Sequence, residues 1–149
     1  MSTGEVKAIH IASSKGAEVH AIESVRIAAG QGLEGDRNFG ADGPIAPHRQ
    51  VTLVESEVLE ALATEKGIGL APGETRRNIT TRGVPLNDLV GKEFRVGPVL
   101  LRGIQLCEPC SYLTKMTGKP LKTHLAGRGG LRAEALESGV VRLGDLITY

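Results

Sequence analysis

The chain of 149 residues contains no tryptophan, two tyrosines, two phenylalanines and only two cysteines. Proteins that bind single-stranded nucleic acid usually stack bases on several aromatic side chains, so the shortage of aromatics argues against that class. The formal net charge of +1 provides no general field to attract nucleic acid or a membrane surface. No apolar run approaches the roughly 20 residues that a membrane-spanning helix requires. We therefore expect neither nucleic acid nor a membrane among the partners.

Two cysteines are also too few for the disulfide framework of a small secreted protein. The first ten residues lack the basic region and long apolar core of a signal peptide. We therefore predict a cytoplasmic protein, in which reducing conditions keep Cys107 and Cys110 as thiols or as ligands. A chain of 149 residues with 40% hydrophobic residues is most simply one domain, 1–149, with room for a buried core.

Glycine, in contrast, is abundant. The 20 glycines are spread through the chain and separate short apolar segments, which is typical of a β-rich fold. The pattern predicts about seven or eight strands and two or three short helices, a mainly β architecture that suggests a barrel. The predicted strands are 6–12, 17–27, 49–54, 78–82, 92–96, 98–106, 131–136 and 140–149, with tight turns at 97–98 and 144–145.

The clearest predicted helix covers 56–66. Val58, Leu59, Leu62 and Ala63 form an apolar stripe along it, and Gly67 provides a stop. Ser56 or a neighbouring residue is expected to cap its N-terminus.

The two cysteines stand three positions apart in Cys107-Glu-Pro-Cys110. A predicted strand leads into the pair, and 110–118 is predicted as a short helix, so Cys110 would lie at a helix N-terminus. Unpaired backbone N–H groups and the helix dipole at that position favour a thiolate. A thiolate can bind a soft metal or carry a transferable sulfur.

The spacing alone leaves other interpretations open. A single pair of cysteines at this spacing also occurs in redox dithiols, in thioredoxin-like proteins and as half of a zinc site. Two inert cysteines are a further alternative. The four histidines, which zinc would need, are scattered without metal-ligand spacing and are expected to be surface or core residues. They are His10, His20, His48 and His124.

Three segments combine glycine with charged or polar side chains. The loop at 32–40 contains Asp36 and Arg37, which could make polar contacts to a ligand beside its glycines. The segment at 76–83 is rich in groups that recognise phosphate, with the side chains of Asn78, Thr80 and Arg82 expected on one strand face. The loop at 127–132 offers glycine backbone N–H groups and further arginines for an anion. A surface turn or a solvated strand face remains the alternative for each.

Taken in order, these segments resemble the MOSC domain family, named for the C-terminal domain of molybdenum cofactor sulfurase, in a single-domain bacterial-type form. The matching segments cover nearly the whole chain. They are 32–36, 49–53, 72–83, 86–91, 97–101, 107–110, 128–134 and 139–145.

The resemblance implies a MOSC-type β-barrel that binds the molybdenum cofactor, a molybdenum-bearing pterin phosphate. It makes Cys110 the catalytic cysteine, which binds molybdenum or carries sulfane sulfur, with Cys107 as a secondary candidate for the metal ligand. The residues expected to bind the cofactor are Asp36, Arg76, Arg77, Asn78, Thr80, Arg82, Arg128 and Gly129.

Three functions are considered, two from the family resemblance and one from the cysteine pair. The first is binding of the molybdenum cofactor (molybdopterin) or sulfur transfer, and the second is cofactor-dependent reduction of N-hydroxylated compounds with an external electron donor. The third is a non-enzymatic redox or interaction module. A cysteine desulfurase, a molybdoenzyme acceptor or an electron-transfer protein would be a partner. Pyridoxal phosphate is not expected, because no lysine lies in a recognisable Schiff-base context.

Overall fold

The computed structural model describes residues 2–70, 73–107 and 127–149. The described residues form eleven strands, one α-helix and two short 3₁₀ helices. The strands are β1 (Thr3–Ile11), β2 (His20–Ile22), β3 (Ser24–Ala28), β4 (Gly32–Leu33), β5 (Val51–Glu55), β6 (Ile79–Arg82), β7 (Glu93–Val96), β8 (Val99–Leu106), β9 (Leu131–Ala135), β10 (Gly139–Arg142) and β11 (Leu146–Thr148). The helix α1 is Ser56–Lys66, and the 3₁₀ helices are Pro47–Arg49 and Leu86–Leu89.

Seven strands close into a barrel, which confirms the predicted mainly β fold. Their order is β11, β7, β8, β9, β5, β6 and β1, and β1 pairs again with β11. Residues 3–5 of β1 pair with β11 and residues 5–9 pair with β6, with a register shift between Val6 and Ala8. Closure of this kind leaves the seven strands without the unpaired edge that an open sheet exposes.

Apolar side chains fill the barrel because buried and exposed residues alternate along its strands. In β7, Phe94 and Val96 are buried while Glu93 and Arg95 are exposed. The same period of two places Leu131, Ala133 and Ala135 of β9 in the core. Each fully buried large apolar side chain contributes roughly 1.5–3 kcal/mol to folding. The side chains with the largest buried volumes are Phe94, Ile9, Ile27, Leu33, Leu53, Leu62, Ile79, Leu86, Leu101 and Leu131.

The N-terminal region differs from its predicted strand at 17–27. The structure divides that stretch into β2, which pairs with the end of β1, and β3, which pairs with β10 in a separate three-stranded sheet. The two-residue strand β4, which the pattern did not indicate, completes this second sheet. Apolar and polar residues continue to alternate between β2 and β3. The sequence pattern therefore could not show that the two strands pair with different strands.

Helix α1 confirms the predicted bounds, and it lies between two parallel neighbours of the barrel, β5 and β6. Gly67 ends the helix in the left-handed conformation with φ 66°. Leu62 is fully buried against Ile68, whereas Ala63 is exposed, so the predicted apolar stripe is narrower than expected. The expected side-chain cap was wrong, because the N-cap is Glu55 and its side chain makes no capping hydrogen bond.

Within the described ranges, no helix has both the length and the apolar character needed to cross a membrane.

Gly103 provides a test of the packing around β8. It lies where residues 89–92 cross the strand, and a Cβ at this position would collide with the Leu89 carbonyl oxygen and lie 3.2 Å from the Cα of Val90. We predict that Gly103→Ala lowers the free energy of unfolding by about 2 kcal/mol, since overpacking forces backbone shifts. Gly69→Ala is the control, because a Cβ there meets nothing within 4 Å. Equal urea midpoints for the two variants would contradict the prediction.

Candidate functional site

Five of the predicted site residues lie in two loops. The arginine loop, residues 73–78, leads into β6, and the glycine loop, residues 127–130, leads into β9. Cys107 directly follows β8, which pairs with β9. The Cys107 N–H donates to the Gly130 carbonyl at 2.7 Å, so the end of β8 is tied to the glycine loop.

Arg77 joins these segments through its guanidinium group. Its Nε donates to the Gly129 carbonyl at 2.9 Å, and its Nη2 donates to the Cys107 carbonyl at 3.3 Å. A third, longer contact of 3.5 Å runs from Nη1 to the carbonyl of Thr75. The structure therefore brings together Arg77, Gly129 and Cys107, three residues that the sequence predicted for the site.

Asn78 is a buried link between three barrel strands. Its Oδ1 accepts from both the N–H and the hydroxyl of Thr52 on β5, each at 3.1 Å. Its Nδ2 donates to the His10 carbonyl on β1 at 3.2 Å. Because Asn78 is only 2% exposed, its side-chain amide holds the sheet together around the arginine loop.

Asp36 is linked to the arginine loop by a chain of hydrogen bonds. Its buried carboxylate accepts from the Ala12 N–H and from Arg37 Nη1, both at 3.0 Å. Arg37 Nη2 in turn donates to the Arg76 carbonyl at 3.1 Å. Asp36 thus acts on the predicted site through Arg37.

Arg76 is the one non-glycine with a positive φ among the residues that the structure describes, at 63°. This conformation costs an L-residue about 1–2 kcal/mol. Its Nη1 donates to the Ala17 carbonyl at 2.7 Å, while its own carbonyl is held by Arg37. Contacts on both sides therefore fix the backbone and the side chain of Arg76.

The remaining predicted residues have different positions. Thr80 is half-buried within β6, and Arg128 is half-buried beside Gly129 in the glycine loop. Arg82 ends β6 and forms an exposed ion pair with Glu60 at 2.7 Å, so it is separated from the network around Arg77 by the length of the strand. Cys110 lies outside the described residues, as does the helix predicted at 110–118.

Two glycines permit close approaches that a side chain would prevent. A Cβ on Gly130, at φ 113°, would collide with the Leu53 carbonyl oxygen of β5. A Cβ on Gly73, at φ 78°, would lie 2.6 Å from Cδ2 of the His10 ring. The first contact seats the glycine loop against the barrel, and the second packs the arginine loop over His10.

His10 is buried beneath this contact, with 3% of its surface exposed. Neither ring nitrogen has a hydrogen-bond partner among the described residues. Burial disfavours the charged imidazolium and lowers the pKa of His10 below 6.5. Sequence reasoning assigned His10 to the surface or the core, and it gave no sign that the arginine loop would cover it.

Residues 35–148 match the family model described as the MOSC domain. The chain belongs to the MOSC domain family. Among solved structures, the YuaD protein of Bacillus subtilis superposes with a TM-score of 0.78 at 19% identity, over 99% of this chain and 97% of that one. YiiM of Geobacillus stearothermophilus gives a TM-score of 0.74 at 19% identity, over 97% of this chain and 74% of that one. YiiM of Escherichia coli gives 0.69 at 19% identity, over 97% and 68%.

At such identities these structures show a shared fold.

No curated protein matches the sequence of this MOSC domain. In the described parts of the domain, no three histidine, cysteine or acidic side chains lie close enough together to hold a metal ion.

Asn78→Ala tests the buried amide of this MOSC domain. The substitution leaves the Thr52 N–H without its side-chain acceptor in a buried position, so we predict a loss of about 2 kcal/mol or more in unfolding free energy. Asn87→Ala is the matched control, because Asn87 is exposed and makes one hydrogen bond of 2.8 Å to the Gly127 carbonyl. Urea denaturation of both variants measures the difference, and a larger loss for Asn87→Ala would refute the assignment.

His10 should make stability depend on pH. Since the pKa of His10 is lowered in the folded state, the unfolded chain binds more protons below pH about 6.5, and the free energy of unfolding falls as pH falls. We predict that the free energy of unfolding decreases between pH 7.5 and 5.5 with a slope of up to about 1.4 kcal/mol per pH unit. This decrease should be absent in His10→Gln. His20→Gln removes an exposed imidazole from β2 and should leave the wild-type pH dependence. The same slope in His10→Gln as in the wild type would disprove the prediction.

Proposed function

We propose that this MOSC domain binds the molybdenum cofactor between the arginine loop and the glycine loop, with Cys110 as the thiolate that binds molybdenum or carries sulfur. The family as a whole is associated with the molybdenum cofactor. The observation that carries the proposal is the set of hydrogen bonds by which Arg77 joins the arginine loop, Cys107 and the glycine loop. These are three of the segments on which the family resemblance rests, and they are distant in sequence.

The residues at this position suit a ligand with an anionic phosphate. Arg76, Arg77 and Arg128 lie in the two joined loops, and guanidinium groups are well matched to phosphate oxygens. The contacts of Arg77 with Gly129, Cys107 and Thr75 are made to neutral carbonyl oxygens. Gly130 keeps the backbone of the glycine loop close to β5, where no side chain intervenes. We assign phosphate binding to Arg76 and Arg128.

The choice between the two cysteines follows from burial. Cys107 has no exposed surface and is not part of a disulfide, so it packs as a small core residue. We therefore assign the metal or sulfur role to Cys110. Thiolate is a ligand type that suits soft metal centres, and the bound cofactor would supply redox or sulfur chemistry at molybdenum. The protein's own part is to hold the phosphate with cations and to present the thiolate.

The test is the molybdenum content of protein expressed in a host that makes the cofactor. We predict molybdenum and released pterin fluorescence in the wild type and in Cys107→Ala, and at least a tenfold loss in Cys110→Ser, since a single thiolate is removed. Circular dichroism serves to confirm that each variant is folded. Molybdenum retained by Cys110→Ser would exclude the ligand role. Wild-type protein without molybdenum, pterin or a persulfide on Cys110 by intact mass would overturn the proposal.

A further inference from the structure

All three guanidinium nitrogens of Arg77 contact backbone carbonyls. The Nε bond to Gly129 is the shortest at 2.9 Å, followed by 3.3 Å to Cys107 and 3.5 Å to Thr75. A guanidinium presents five donors in one rigid plane, so a single side chain can hold several acceptors at fixed relative positions.

Two of these carbonyls belong to residues on either side of 108–126. Cys107 precedes that stretch and Gly129 closely follows it, and the Cys107 N–H bond to the Gly130 carbonyl reinforces the same junction. Both Cys107 and Gly129 are buried. The side chain of Arg77 therefore fixes the points at which the chain leaves β8 and returns towards β9.

We infer that Arg77 is a positioning residue, whose guanidinium clamps Cys107 to the glycine loop, and that it is not a phosphate ligand. This inference rests on the proposed function only in that Cys110 lies between the two clamped points along the chain. A clamp on three carbonyls at fixed positions needs the planar fork, whereas lysine can also bind a phosphate, as a point charge. Lysine keeps the charge and loses the fork, so Arg77→Lys separates the two roles.

The buried thiol of Cys107 reports on the clamp. In a Cys110→Ser background it is the only cysteine, and its alkylation by N-ethylmaleimide measures how often the junction opens. We predict that Arg77→Lys and Arg77→Gln both raise the alkylation rate about tenfold or more, as expected for loss of hydrogen bonds to a charged group in a partly buried setting. Arg82→Gln, which removes an arginine paired with Glu60 at the surface, should leave the rate unchanged.

Urea below the unfolding transition distinguishes local opening from loss of the whole fold. Opening of the junction alone exposes little surface, so the raised rate should hardly depend on urea, whereas global unfolding would make it rise steeply. Unchanged alkylation in both Arg77 variants, or a rise that follows global unfolding, would overturn the inference. Normal protection of Cys107 in Arg77→Lys together with faster labelling in Arg77→Gln would also overturn it, because charge alone would then suffice.

Molybdenum content in the Cys110-containing variants adds a second readout. If Arg77 is a clamp, Arg77→Lys should lose as much cofactor as Arg77→Gln. Both variants should keep the wild-type thermal midpoint within a few degrees. Retention by Arg77→Lys alone would identify a charge contact and contradict the inference. The alkylation assay needs no cofactor, so it tests the clamp even if the wild type contains no molybdenum and the proposed function fails.

Discussion

Closure of the barrel through β1 is the constraint on which the other features depend. This strand of nine residues pairs with β11 through residues 3–5, with β6 through residues 5–9 and with β2 through residues 9–11. The staggered use of one strand gives the seven-stranded sheet the shear that a closed barrel needs. It also carries the end of β1 to the start of β6, where His10 and Asn78 exchange backbone and side-chain hydrogen bonds.

The register of β5 separates the apolar interior from the polar network. Val51 and Leu53 lie in the main core, while Thr52 between them bonds to Asn78. A slip of one residue would exchange the two sets, placing a hydroxyl in the core and removing the partner of Asn78. The same register that packs the barrel therefore also fixes the arginine loop, because that loop ends at Asn78.

Arg37 and Arg77 contact different kinds of acceptor among the described residues. The carboxylate of Asp36 compensates Arg37, whose second nitrogen then supports the Arg76 carbonyl. The contacts of Arg77 with Gly129 and Cys107 are made to neutral carbonyl oxygens, which fix the orientation of its guanidinium group. Under the proposed function, Arg37 and Arg77 supply orienting bonds, while Arg76 and Arg128 supply the charges for the anion.

The sequence by itself determined the type and spacing of the elements. Period-two alternation, evenly spaced glycines and the stop at Gly67 predicted most strands and the helix α1, because these signals act over a few residues. Only the tertiary structure decided the partners. It divided 17–27 between two sheets. It also separated Asn78 and Arg82, which belong to one predicted polar stripe, because Asn78 is a buried link whereas Arg82 forms a surface ion pair. Such outcomes depend on residues far away in the chain, since Asn78 contacts His10 and Thr52 while Arg82 meets Glu60. Local pattern carries no information about which distant residue will come to lie beside a given side chain.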